Sequence, residues 1–127
     1  MANVPQDLKY TREHEYLKPH GDGVFSVGIT DYAQGELGDI VFVELPKTGQ
    51  RFDAGASFGT IEAVKAVSDL YMPVAGEVVE VNAALDADPA AVNSDPYGDG
   101  WMIRIRPDDP AAVDAQMDAA AYQELIG

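Results

Sequence analysis

The chain has 127 residues, the length of one ordinary domain, and its 22 acidic and 8 basic side chains give a formal net charge of −14. It contains no cysteine, which excludes a disulfide framework, a thiolate zinc site and a cysteine nucleophile. The acidic balance disfavours binding to nucleic acid or to an anionic membrane surface. No stretch has the composition of a signal peptide or a membrane helix, so we expect a cytoplasmic protein.

The first half of the chain predicts two strands with a short helix between them. Val24–Ile29 and Ile40–Glu44 are rich in Val, Ile and Phe, and a Gly-Asp-Gly turn precedes the first of these runs. Thr30 is the predicted N-cap of the helix and Gly38 is its predicted end. Gly35, inside the helix, costs about 1 kcal/mol relative to alanine. We therefore expect this helix to depend on tertiary contacts.

A β-hairpin is predicted in the middle of the chain. Its two strand-like runs are 59–64 and 67–72. A two-residue turn at 65–66 would place Lys65 at the apex and set Glu62 directly opposite Asp69. Like charges that face each other are normally destabilising, so this pairing suggests that the two acids have a functional role. Taken alone, the spacing still favours an ordinary exposed hairpin with a lysine at its tip.

The second half of the chain predicts two further strands and two short helices. The predicted strands are Gly76–Val81 and 101–106. In the later strand, isoleucines alternate with arginines, so one face should be buried and the other solvated. Residues 86–100 form a long polar connection between the strands. The helices are predicted to begin at the N-caps Asp109 and Asp118.

No metal site or catalytic set is predicted. His14 and His20 are the only histidines, and neither has a partner at metal-ligand spacing. Asp86 and Asp88 begin like a calcium loop, but Pro89 follows and no glycine stands at the sixth position. We therefore expect neither metal chemistry nor a catalytic residue in this chain.

Four blocks of sequence together resemble one known family. They are Y-T-R-E-H-E-Y at 10–16, V-G-I-T-D-Y-A-Q-G-E-L-G-D-I-V-F-V-E-L-P at 27–46, E-A-V-K-A-V-S-D-L-Y-M-P-V-A-G-E-V-V-E-V-N at 62–82, and Y-G-D-G-W-M-I-R-I-R-P at 97–107. In this order they cover most of residues 7–107, and they closely resemble the glycine cleavage system H-protein family.

The resemblance implies an all-β barrel-sandwich hybrid of the lipoyl/biotinyl type, with short helices in the middle and at the C-terminus. The chain would be a single lipoyl-carrier domain over 1–127, with lipoic acid on Lys65 through an amide bond. Such a protein is a carrier and not an enzyme. It shuttles the aminomethyl group of glycine from the pyridoxal-phosphate-dependent glycine decarboxylase to the tetrahydrofolate-dependent aminomethyltransferase, and dihydrolipoamide dehydrogenase then reoxidises it. A lipoate-attaching enzyme is a fourth implied partner.

The resemblance also assigns roles to three acidic residues. In the family the loaded arm folds against the protein surface, where acidic groups receive its ammonium, and the matching positions are Glu15 and Asp69. Glu62 is assigned to recognition by the attaching enzyme. The chain departs from the family pattern at Tyr16, where Trp is usual, and at Tyr32, where His is usual. Either tyrosine keeps an aromatic body, so we expect the packing to be preserved.

Three alternatives remain open at this point. The lipoyl domain of a 2-oxo acid dehydrogenase usually has Asp immediately before its lysine, where this chain has Val64. A biotin carrier would favour methionine on both sides of the lysine, against Val64 and Ala66 here. An H-like protein that only relays lipoate to other acceptors is not distinguished by the sequence.

Overall fold

The computed structural model describes residues 3–127 and shows a mostly β architecture. In that range the strands are β1 (Lys9–Tyr10), β2 (Glu15–Gly21), β3 (Val24–Ile29), β4 (Ile40–Glu44), β5 (Arg51–Phe52), β6 (Ser57–Ala63), β7 (Val67–Tyr71), β8 (Gly76–Val81) and β9 (Ile103–Pro107). The helices are α1 (Asp31–Leu37), α2 (Ala84–Ala87), α3 (Ala91–Ser94), α4 (Pro110–Asp114) and α5 (Ala119–Ile126).

Two antiparallel sheets enclose the main core. One has six strands in the order β1-β2-β3-β9-β8-β5, and the other has three in the order β4-β6-β7. A single cluster of buried side chains draws on both, with Leu17, Val27 and Ile103 from the larger sheet and Ile61 and Leu70 from the smaller. The sheets face each other without closing into a barrel. This confirms the predicted barrel-sandwich hybrid with short helices.

The predicted helix boundaries are confirmed by their caps. The Thr30 side chain accepts a hydrogen bond from the Ala33 backbone N–H at the start of α1, and Gly38 ends that helix with φ of 82°. Asp109 and Asp118 cap α4 and α5 in the same way. These short-range capping interactions involve residues at most three positions apart, which is why the sequence alone predicts them.

The alternation predicted for the last strand is also confirmed. Ile103 and Ile105 in β9 are fully buried, whereas Arg104 is half-buried and Arg106 is exposed. Arg104 binds Glu80 at 2.8 Å and stacks 3.8 Å above the ring centroid of Trp101. Among residues 3–127 the structure contains one other ion pair, between Arg51 and Asp108.

Several parts of the architecture were not predicted: the two-residue strands β1 and β5, strand β2, and the helices α2 and α3. Strand β2 lacks regular alternation, since its first three residues are buried and its last four are exposed. Its Pro19 is tolerated because β1 is too short to reach it, which leaves that end of β2 at the sheet edge. The polar connection 86–100 contains the one-turn helix α3, and α2 overlaps its start. Helices of one turn carry too little periodicity to be recognised.

The predicted register of the central hairpin is wrong. The Ala63 N–H donates to the Ala66 carbonyl at 2.7 Å, so the turn residues are Val64 and Lys65. The prediction missed this because both registers leave the same side chains on the buried face of the sheet. A tertiary contact accounts for the difference, since the Val64 N–H donates to the Asp39 carbonyl at 3.0 Å and is drawn out of the ladder with β7.

The corrected register separates the two acids of the hairpin. Glu62 lies opposite Val67, and Asp69 lies opposite Thr60. The two carboxylates are therefore diagonal neighbours and do not face each other directly, so the repulsion of a directly opposed pair is avoided.

Two glycines provide a test of this architecture. A Cβ on Gly59 would overlap the Glu44 carbonyl oxygen, whereas a Cβ on Gly35 meets nothing within 4 Å. Gly59→Ala should therefore lower the free energy of unfolding by roughly 3 kcal/mol because it forces β6 away from β4. Gly35→Ala should raise that free energy by about 1 kcal/mol through helix propensity. Urea unfolding measures both changes, and equal effects of the two substitutions would contradict this strand packing.

Candidate functional site

The tip of the β6–β7 hairpin presents one lysine to solvent. Lys65 is exposed, and its neighbours Val64 and Val67 are 76% and 65% exposed. The tip does not use the left-handed turn residues common in tight hairpins, since neither turn residue has a positive φ. The bond from Val64 to Asp39 instead holds the tip against the residue that follows the cap of α1.

A cavity of about 250 Å³ lies between α1 and this hairpin, and we refer to it as the α1 cavity. Its walls come from the turn before β2, the end of β3, helix α1 and the strands β6 and β7. Ile29, Leu37 and Leu70 supply apolar surface, and Glu15 and Asp69 supply acidic groups. The structure thus brings these two predicted acids to one cavity, although 54 positions separate them in the sequence.

Glu15 is a buried acid in the wall of the α1 cavity. It is 2% exposed, and its carboxyl oxygens accept hydrogen bonds from the Thr11 hydroxyl and the Tyr71 backbone N–H, each at 3.2 Å. Burial raises the pKa of Glu15 to about 8, against an opposing effect of these two bonds. At neutral pH the group is therefore mostly a neutral acid that can ionise when a cation approaches.

Asp69 and Glu62 occupy different environments. Asp69 is exposed at the edge of the α1 cavity, whereas Glu62 is not part of its lining. Glu62 instead lies between Val67 on β7 and Phe42 on β4, and Phe42 is 48% exposed. Glu62 is therefore part of an exposed, largely apolar cross-strand row beside the lysine tip, separate from the cavity.

A hydrogen-bond network behind the α1 cavity was not anticipated from the sequence. The Tyr122 hydroxyl on α5 lies 2.8 Å from Nδ1 of His14 and 2.7 Å from Oγ1 of Thr30. His14 has φ of 69°, and burial lowers its pKa. The network ties the C-terminal helix to two walls of the cavity. No local sequence signal pairs Tyr122 with residues 92 and 108 positions away.

Residues 3–127 contain neither a membrane-spanning helix nor a metal-binding cluster. Between residues 3 and 127 no helix combines the length and the apolar character required to cross a membrane. The same range contains no group of three or more His, Cys, Asp or Glu side chains arranged to hold a metal ion. Every buried side-chain nitrogen or oxygen atom in this range has a hydrogen-bond partner.

A barrel-sandwich hybrid with an exposed lysine at a hairpin tip is the arrangement expected of a protein that carries a covalently attached group. The family model of the glycine cleavage H-protein matches residues 8–127. The glycine cleavage system H protein of Chlorobium limicola is 58% identical over 126 residues, and that of Bacteroides thetaiotaomicron is 53% identical over 124 residues. Each match covers 98% of both chains.

A solved structure agrees with these relatives. The crystal structure of a glycine cleavage system H protein from Mycobacterium marinum is similar with a TM-score of 0.88 and 42% identity, over 98% of this chain and 99% of that chain. The chain belongs to the glycine cleavage H-protein family.

Members of this family carry a lipoyl group bound covalently to a lysine, and the chain is a lipoyl carrier of the glycine cleavage system. Its partners are the glycine decarboxylase, the aminomethyltransferase and dihydrolipoamide dehydrogenase. The predicted family, function, cofactor and these partners are confirmed. The family match favours the H-protein assignment over the two alternatives of a 2-oxo acid dehydrogenase lipoyl domain and a biotin carrier.

Because Glu15 is buried and its pKa is raised, we expect the free energy of unfolding to depend on pH in a specific way. Between its usual value of 4.5 and about 8, Glu15 is ionised in the unfolded chain and protonated in the folded protein. The unfolded chain then binds fewer protons, so this group lowers the free energy of unfolding as the pH rises through that window. Glu15→Gln removes the effect and should be more stable than the parent by on the order of 4 kcal/mol at pH 8, with the difference vanishing near pH 4.

Urea unfolding at pH 4, 6 and 8 measures this difference. Asp69→Asn is the matched control, because it removes an exposed carboxylate from the same cavity and leaves Glu15 in place. A constant offset between Glu15→Gln and the parent across this range would contradict the raised pKa of Glu15.

Proposed function

We propose that Lys65 is the residue to which the lipoyl group is attached. The observation that carries this proposal is the position of Lys65 at the exposed apex of the β6–β7 hairpin. The other three lysines are less suitable. Lys9 lies half-buried in β1, Lys18 donates to the Tyr97 carbonyl at 2.9 Å, and Lys47 is in the loop after β4, away from the α1 cavity.

The α1 cavity fits the end of such an arm. When bound, the lipoyl group supplies a dithiolane that, once opened, holds the aminomethyl cargo on sulfur. Ile29, Leu37 and Leu70 offer apolar contact to the hydrocarbon and sulfur, and Glu15 and Asp69 offer oxygens to a cationic amine. The walls cover the cargo on two sides, because the cavity lies between α1 and the hairpin.

Glu15 acts as the inner acceptor for the charged cargo. Its carboxyl is held by Thr11 and Tyr71, so its oxygens are already oriented before a ligand arrives. An ammonium in the cavity would stabilise the ionised form and lower the pKa of Glu15 from about 8. The resulting ion pair forms only with a cationic cargo, so the bare, uncharged arm receives no such stabilisation.

Asp69 acts as the outer acceptor at the edge of the cavity. It is four residues beyond Lys65 on the same hairpin and remains exposed, so it reaches the amine without the desolvation that Glu15 undergoes. Two acids at different depths hold the arm while letting it leave, since a charge-assisted bond contributes about 1.5–3 kcal/mol.

Glu62 serves recognition by the lipoate-attaching enzyme. Its exposed position between Phe42 and Val67 gives the enzyme one charge within an apolar surface, three residues before the lysine. Such a combination distinguishes Lys65 from three other lysines. Because Glu62 lies outside the α1 cavity, its role is separable from arm docking.

The same proposal describes the chain as a single, non-catalytic domain over 1–127 that acts in the cytoplasm. The family model extends over 8–127, which supports one domain, and the curated relatives compared above are bacterial. The decarboxylase, transferase and dehydrogenase supply the chemistry with their own cofactors, while this protein supplies attachment, orientation and shelter.

Attachment is tested by intact-mass analysis after incubation with a lipoate-attaching enzyme and lipoate. The parent and Lys47→Arg, which removes another exposed lysine, should each gain one lipoyl increment, and Lys65→Arg should gain none. Glu62→Gln should lower kcat/KM for attachment by at least about tenfold, the value of one charge-assisted contact, while Glu44→Gln on the same sheet should not. An increment on Lys65→Arg would overturn the assignment.

Docking is tested by the rate at which the loaded carrier releases its cargo to water. Glu15→Gln and Asp69→Asn should each speed this loss by about tenfold or more, because each removes one charged acceptor. Glu62→Gln removes a carboxylate of the same hairpin from outside the cavity and should leave the rate unchanged. If Glu15→Gln and Asp69→Asn lose the cargo at the same rate as the parent, these acids do not hold the cargo.

A lipoylated parent that accepts no cargo from its decarboxylase would instead favour the lipoate-relay alternative.

A further inference from the structure

The stem of Lys65 lies directly against Gly38, the cap at the C-terminal end of α1. A methyl group built on Gly38 would come within 3.2 Å of Cε of Lys65 and 3.8 Å of its Cδ and Nζ. The separation from Cε is shorter than ordinary van der Waals contact, and the other two are ordinary contacts. The missing side chain therefore leaves the space through which the lysine methylenes pass over the backbone.

Asn93 on α3 fixes the backbone on which the lysine lies. Its Nδ2 donates to the Gly38 carbonyl and to Oε1 of Gln34, and its Oδ1 accepts from the Ile40 N–H, all at 2.9 Å. One half-buried amide thus joins the last turn of α1 to the first residue of β4. Neither Gly38 nor Asn93 is part of the α1 cavity or has a role in the docking proposed above.

Helix α1 connects this contact to the α1 cavity. Leu37, Glu36 and Ala33 line the cavity, and Gly38 directly follows them in the chain. At about 1.5 Å per helical residue, Gly38 and Ala33 are about 8 Å apart along the axis. A lysine stem that lies over Gly38 therefore begins at the helix that forms one wall of the cavity.

We propose that Gly38 and Asn93 form a seat for the Lys65 stem, in which Asn93 is the positioning residue, and that this seat directs the attached arm along α1 into the cavity. The steering part of this inference rests on the proposed attachment at Lys65. The seat itself concerns the unmodified lysine, so it can be tested without the lipoyl group. A seated stem loses part of its rotational freedom before the arm docks, which reduces the entropy cost of docking.

The first experiment measures the mobility of Lys65 in the unmodified protein. Reductive methylation with ¹³C-formaldehyde keeps the lysine charge and labels only four lysines and the N-terminus, and Lys65→Arg assigns the Lys65 signal. We expect the Lys65 methyl signal to sharpen and relax more slowly in Gly38→Ala. Gly55→Ala is the matched control, because Gly55 also has φ of 82° but meets nothing within 4 Å of an added Cβ.

Asn93→Asp provides a second variant that is independent of backbone strain at a glycine. It keeps the shape of the side chain and removes both hydrogen bonds that Nδ2 donates to α1 and its cap. The Lys65 methyl signal should therefore also sharpen and relax more slowly. Equal Lys65 relaxation in the parent, Gly38→Ala and Asn93→Asp would overturn the seat. If Gly38→Ala does not fold, the Asn93→Asp result decides in the same way.

The second experiment tests steering in the lipoylated protein. Attachment of lipoate should shift the backbone amide signals of Leu37 and Leu70 in the parent, and these shifts report how often the arm occupies the α1 cavity. Gly38→Ala should lower the docking equilibrium constant by about fourfold, the value of one buried methylene, and Gly55→Ala should not. Unchanged shifts in Gly38→Ala would overturn the steering. Lipoylation of a residue other than Lys65 would overturn the proposed attachment but leave the seat result standing.

Discussion

The hydrogen bond from the Val64 N–H to the Asp39 carbonyl is the interaction on which the geometry of the site depends. It draws Val64 out of the ladder with β7, so the hairpin turns at 64–65 and Val64, not Ala66, shares the turn with Lys65. It also brings the tip against the end of α1, which places the lysine stem over Gly38. The same contact sets the hairpin beside α1 with the α1 cavity between them. One backbone bond therefore relates the lysine, the helix and the cavity.

The chemistry of the cavity depends on how Glu15 is buried. Burial of an acid is unfavourable, but here both oxygens have hydrogen-bond partners and the group remains protonated near neutral pH. The fold thus avoids a buried unpaired charge while keeping an acceptor that a cation can ionise. In the docking that we propose, this property makes retention depend on the charge of the cargo. A permanently ionised surface acid would attract cations less selectively.

Sequence-based prediction succeeded for features that depend on neighbouring residues and failed for those that depend on distant ones. The caps Thr30, Asp109 and Asp118 were predicted correctly because capping acts over two or three positions. The hairpin register was wrong because alternation is the same in both registers, and the contact with Asp39 lies 25 positions away.

The candidate site shows the same division between local and distant information. Lys65, Glu15 and Asp69 were selected through motifs, and the structure places the two acids in one cavity. Asn93 and Tyr122 act through hydrogen bonds to segments far along the chain, and no local pattern marks either residue.

The scarcity of ion pairs has a consequence for the response of the protein to ionic strength. The chain has a formal net charge of −14, and residues 3–127 form two ion pairs, so most carboxylates repel one another without compensation. At physiological ionic strength the screening length is about 8 Å, and added salt shortens it further. Salt should therefore stabilise the fold by damping this self-repulsion, and it should also shorten the range over which a basic partner attracts the carrier. Because of the acidic surface, higher ionic strength should thus raise the stability of the carrier and lower its rate of encounter with a basic partner.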